Sequence, residues 1–85
     1  MKEKTVTIGL TDGLDAGVIA VLVQRACKFS SSVYLQAEGK KVNAKSIMGM
    51  MNMGVNKGKE ITIVADGEDE DTAISELEEY LTTGK

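Results

Sequence analysis

Histidine, proline and tryptophan are all missing from this 85-residue chain, cysteine occurs once, and the only rings belong to two tyrosines and one phenylalanine. Without histidine there is no imidazole to act as a nucleophile or proton carrier near neutral pH. A lone Cys27 cannot close an internal disulfide and suits a reducing compartment. Phe29, Tyr34 and Tyr80 are too few to build a stacking platform for bases, so direct nucleic-acid binding is not expected. Nor is a membrane role, because no apolar run approaches the roughly 20 residues of a spanning helix. The opening Met-Lys-Glu-Lys passes into alternating residues with no signal-type apolar region. With no proline-rich linker, repeat or low-complexity stretch, the expectation is one soluble, cytoplasmic domain covering residues 1–85.

What is present is an apolar fraction of 42%, supplied by Val, Ile, Leu, Met and Ala, and a net charge of −3 that hides an asymmetry. Residues 1–59 carry nine lysines and arginines against four acids; residues 60–85 carry one lysine against nine. Lys40, Lys41, Lys45, Lys57 and Lys59 fall close in sequence to Ser46. They can favour an anion or an acidic partner, although solvated rim lysines are the commoner arrangement.

Periodicity gives the element order. Thr5–Ile8 alternates as a half-buried strand, and Ala16–Lys28 has helical spacing. Its inner face is read as Ala16, Ile19, Ala20, Val23, Ala26 and Cys27. Val33–Ala37 is a second strand, Glu38-Gly39-Lys40 a tight turn, and Lys41-Val42 a short third strand. Ser30, Ser31 and Ser32 form a polar connection with no assigned role. A short helix after Ser46 ends near Gly54, and Ile61–Ala65 is the fourth strand. The last helix starts in the acidic run Glu68–Asp71, and Ala73, Ile74, Leu77, Tyr80 and Leu81 form its core stripe. The class is α+β, in the order β-α-β-β-α-β-α: one four-stranded antiparallel sheet with three helices on one face.

Lys40-Lys41-Val42-Asn43-Ala44-Lys45-Ser46-Ile47-Met48-Gly49-Met50-Met51 is the densest signal in the chain. Serine is a preferred N-cap because its oxygen accepts from an unpaired helix N–H, and a helix N-terminus also tolerates an added phosphate. At about 100° per residue, Ile47, Met48 and Met51 fall on one arc and Met50 and Met53 on another. The second pair is assigned to the core, leaving Ile47, Met48 and Met51 as an exposed apolar patch beside Ser46 and Lys45.

The element order, the segment Lys41–Gly49, and Gly13-Leu14, Ala16, Leu22-Val23 and Gly67-Glu68-Asp69-Glu70 together resemble the HPr family, phosphocarriers of the bacterial sugar phosphotransferase system, over essentially the whole chain. The resemblance implies an open-faced sandwich. It also implies phosphorylation of Ser46 by an HPr kinase/phosphorylase, with the Ile47, Met48, Met51 and Lys45 surface meeting Enzyme I, the kinase and a catabolite control transcription factor. The family's G-L-H-A-R-P-A is altered here to Gly13-Leu14-Asp15-Ala16-Gly17-Val18-Ile19, so Asp15 and Gly17 mark a degenerate phosphocarrier site. Asp15 reads first as an N-cap, then as a fixed anion or a replacement phosphoryl acceptor. A regulatory variant of the family, Crh, has glutamine in place of the histidine, and this chain resembles that Crh-like type. The expected role is therefore a regulatory phosphoacceptor of carbon metabolism, not an enzyme, with no metal or cofactor. A diverged carrier using Asp15 and an unmodified docking paralogue are the alternatives, and Enzyme I can dock without transfer.

Overall fold

The computed structural model describes residues 1–85 and arranges seven elements in the order expected. They are β1 (Lys2–Thr7), α1 (Ala16–Cys27), β2 (Ser32–Ala37), β3 (Lys40–Asn43), α2 (Ile47–Met51), β4 (Glu60–Asp66) and α3 (Glu70–Thr83). The strands pair antiparallel in the order β1-β4-β2-β3. Register places Val6 opposite Ile61, and Leu35 between Ile63 and Val42. Because side chains alternate along a strand, Val33, Leu35 and Ala37 share the covered face with Ile61, Ile63 and Ala65, and all six are buried. The three helices pack over that face and close a single core.

The other face is open. Thr5 and Thr62 pair their hydroxyls at 2.8 Å, and Tyr34 lies opposite Val64. Val64 is 3% exposed although it points away from the helices. The Lys41 ammonium sits 4.9 Å from the Tyr34 ring centroid, a cation–π contact. β2 and β3 join through Glu38 and Gly39, whose φ angles of 51° and 79° match the two-residue type I′ hairpin. Glycine suits such a turn; glutamate pays a Cβ penalty there.

The α3 stripe is buried as its spacing predicts, but α1 is rotated from its expected phase. Ile19, Leu22, Val23 and Ala26 face the core, while Ala16, Ala20 and Cys27 are exposed. The cysteine is therefore a surface thiol, which corrects its placement in the core. The helix is almost wholly apolar, so no polar face fixes its phase, and the larger Leu22 takes the interior in place of the small Ala16 and Ala20. α2 stops at Met51 with Asn52 as its C-cap, sooner than the expected end near Gly54.

Ser31 also departs from expectation. At 1% exposure it is the buried polar side chain of the domain. Its hydroxyl donates to Asp69 Oδ1, and the Ser30 and Ser31 N–H groups donate to the same carboxylate at 2.9 and 3.0 Å. Three donors hold the Asp69 carboxyl down to about 2, the Ser31 hydroxyl contributing most. Gly67, at φ 154°, is pressed against this junction: a Cβ there would lie 2.6 Å from Ser31 Oγ. The connection between α1 and β2 is thus fastened to the start of α3.

Candidate functional site: the Ser46 cap and its apolar neighbours

The Ser46 site begins where β3 ends. Asn43 turns the chain, its Oδ1 accepting from Lys45 N at 2.8 Å and its carbonyl from Ser46 N at 3.0 Å. Ala44 is buried between them and donates to the Val33 carbonyl, so the turn is stitched to β2. Ser46 then takes an extended conformation, φ −115° and ψ 114°, as an N-cap does. Its Oγ accepts from Gly49 N at 3.4 Å, a long bond, and its carbonyl accepts from Met50 N at 3.0 Å.

The phase of α2 agrees with the two arcs read from sequence. Met50 is 0% exposed and Met53, just beyond the helix, is buried with it. Ile47, Met48 and Met51 are 50%, 82% and 57% exposed and form an apolar patch beginning one residue after Ser46. At the far end of the helix, Lys40 Nζ donates to the Asn52 carbonyl at 3.3 Å. Lys45 behaves otherwise than a free contact residue: it is half-buried, and its ammonium donates to the Phe29 carbonyl at 2.8 Å. Sequence patterning offers no signal for that bond, since its partner lies 16 residues away.

Asp15 and Gly17 stand on a different helix, which packs against α2. Asp15 Oδ1 accepts from Val18 N at 2.9 Å, making it the N-cap of α1. A Cβ at Gly17 would meet nothing nearer than Asp15 Oδ1 at 3.6 Å, so this end of α1 has open space where a longer side chain could lie. No group of three His, Cys, Asp or Glu side chains converges anywhere in the domain. The structure thus brings Ser46, Ile47, Met48 and Met51 together, ties Lys45 inward and leaves Asp15 as a cap.

An open-faced sandwich with a capping hydroxyl beside exposed methionines defines a small domain of the phosphocarrier type. Residues 2–83 match the family described as "PTS HPr component phosphorylation site", and the chain belongs to the HPr family. It is similar to the HPr-like protein Crh of Bacillus subtilis (strain 168), with 47% identity over 81 residues and 95% of each chain covered. Among solved structures it is similar to the phosphocarrier protein HPr of Bacillus anthracis str. Ames, at TM-score 0.91 and 39% identity over 94% of this chain and 95% of that one. The crystal structure of the Bacillus subtilis catabolite repression protein Crh, described as a swapped, intertwined dimer, matches at TM-score 0.76 and 47% identity, covering 95% and 93%. These relatives place the chain among HPr-like regulatory and carrier proteins rather than enzymes.

Proposed function

We propose that this chain is a regulatory phosphoacceptor of carbon metabolism, modified at Ser46 by an HPr kinase/phosphorylase and read by partners through Ile47, Met48 and Met51. The observation that carries the reading is the Ser46 hydroxyl, held by one long hydrogen bond at the cap of α2 beside three exposed apolar side chains. In the transfer, Ser46 Oγ bonds to the γ-phosphorus of ATP, the bond from that phosphorus to the bridging oxygen breaks, and ADP leaves. The hydroxyl proton passes to a base on the kinase.

The product adds close to two negative charges at a helix N-terminus, where the dipole favours them. No carboxylate ion-pairs with Lys40, Lys41, Lys57 or Lys59, whereas Lys2, Lys4 and Lys28 are paired. The first four neighbour Ser46 in sequence; in the fold Lys40 reaches the far end of α2 and Lys41 lies over Tyr34 on the open sheet face. A partner meets phosphate and apolar patch as one epitope, and the expected partners are the kinase and a catabolite control transcription factor. Enzyme I of the phosphotransferase system docks on the same surface without receiving or giving phosphate, since the chain has no histidine. No helix is long and apolar enough to cross a membrane, and the family supports a cytoplasmic location.

The test is intact mass and peptide mapping after two incubations, one with HPr kinase and ATP, the other with Enzyme I and phosphoenolpyruvate. One added phosphate on Ser46 in the first reaction alone is expected. Phosphate on Asp15 in the second would instead make the chain a diverged carrier, and no change in either would make it an unmodified docking paralogue.

A further inference from the structure

Lys45 adjoins Ser46, yet its ammonium is directed into the fold. Nζ donates to the Phe29 carbonyl at 2.8 Å, just past the C-terminal end of α1, where carbonyls lack intrahelical partners and favour a cation. The acceptor is itself immobilised. Phe29 is buried in the core, and the next two residues donate their N–H groups to Asp69. Lys28, on the preceding side, ion-pairs with Glu76 of α3 at 2.8 Å. The tether from Lys45 thus ends on a segment held by α3 from both flanks. Its other end is the turn that sets Ser46, in which Asn43 takes both the Lys45 and Ser46 amides.

The cap alone holds the hydroxyl weakly. Ser46 Oγ has one 3.4 Å contact, and α2 has only five residues, too short to be stable by its own propensity. Its orientation depends on what fastens the turn before it. We propose that Lys45 is a positioning residue for Ser46: by bonding Phe29 it locks the β3–α2 connection to the α1–β2 junction, and so presents the hydroxyl in the geometry that phosphoryl transfer requires. The role rests on the proposed modification of Ser46. It replaces the expectation that Lys45 touches the partner.

The test compares wild type with Lys45→Met, which keeps the apolar stem but cannot donate, and Lys45→Arg, which keeps a cationic donor. Two readouts are taken: amide hydrogen exchange, and Ser46 phosphorylation by HPr kinase and ATP across a salt series. Loss of one charge-assisted bond predicts about 10–150-fold faster exchange at the Lys45, Ser46 and Gly49 amides of Lys45→Met, with Ala73 and Leu77 in α3 unchanged. Its kcat/KM falls by a similar factor and the loss persists at high salt, where screening removes the long-range effect of the deleted charge. Lys45→Arg recovers both. Unchanged exchange with a shallower salt slope would overturn the proposal and make Lys45 a kinase contact. Unchanged exchange and unchanged kinetics would overturn it as well. If wild type itself takes no phosphate, it is the Ser46 reading that has failed, and the positioning role falls with it.

Discussion

Replacing Met50 by alanine, alongside the same change at Met51, tests the geometry on which the partner surface depends. The two residues are adjacent, chemically identical and in the same short helix, yet one is 0% and the other 57% exposed. Truncating a fully buried methionine removes its transfer free energy and leaves a cavity, together about 2–5 kcal/mol. Truncating the exposed one should stay within about 0.5 kcal/mol. A domain of 85 residues has roughly 4–13 kcal/mol of stability in total, so Met50→Ala removes a large share of it. In urea, with a slope of about 1–2 kcal/mol per molar, its midpoint falls by about 1–5 M, while that of Met51→Ala scarcely moves. Met50→Leu, a volume-conserving swap, should lose less than about 1.5 kcal/mol and keeps the comparison readable if alanine unfolds the domain. Binding to HPr kinase, followed by NMR titration, should show the opposite order: weakened by Met51→Ala and retained by Met50→Leu. Equal destabilisation by the two alanines would mean that α2 presents a different face, and the patch of Ile47, Met48 and Met51 would lose its basis.

Further outcomes follow from the surrounding structure. Asp69 has a folded pKa depressed to about 2 by its three donors, so its contribution to stability is complete above the unfolded value. It is lost as pH falls through the folded value, and Asp69→Asn should flatten urea midpoints measured from pH 5 down to pH 2. A midpoint profile identical to wild type would refute this. Glu38 occupies a left-handed position in the type I′ turn, and Glu38→Asn should raise stability by about 0.5–1 kcal/mol in denaturant titration. A loss would show that the glutamate side chain contributes a contact outweighing the backbone strain. Cys27 should react with a thiol reagent in the native protein within a fewfold of the rate seen in urea, since its side chain is exposed. Protection by orders of magnitude would return it to the core.

Much of this could be read directly from residue order. β2 and α3 have contrasting faces, so their periods settle both type and phase, whereas α2 has no polar residue: spacing separates its methionines into two arcs, and packing decides which arc turns inward. α1 does not offer that contrast: between Asp15 and Gln24 it has no polar residue, and its phase depends on which side chains fill the space over the sheet. Leu22 fills it and Cys27 does not. The serines at 30, 31 and 32 look equivalent in sequence, yet Ser31 alone is buried, because Gly67 and Asp69 arrive beside it from more than 30 residues away. Lys45 was legible as a charge near Ser46 but not as an internal donor, since the direction of a flexible stem depends on where the end of α1 comes to rest.

The two candidate acceptors therefore differ in what their surroundings allow. Asp15 has one carboxylate oxygen bonded to the α1 backbone, and phosphorylating it would replace that cap with an acyl phosphate. Such a group is usually stabilised by a cation, and no cluster of carboxylates that would hold a metal forms here. The neighbouring glycine supplies no positive side chain either. Ser46 meets different conditions. Its oxygen is weakly held and its helix dipole favours the product. An aspartate introduced at position 46 would supply the charge without the full phosphate geometry. It should preserve the cap and the fold while binding a phosphoserine-reading partner more weakly than the phosphorylated chain. If Ser46→Asp bound as tightly as the phosphoprotein, charge alone would be the signal, and the positioning of the hydroxyl would matter to the kinase rather than to the reader.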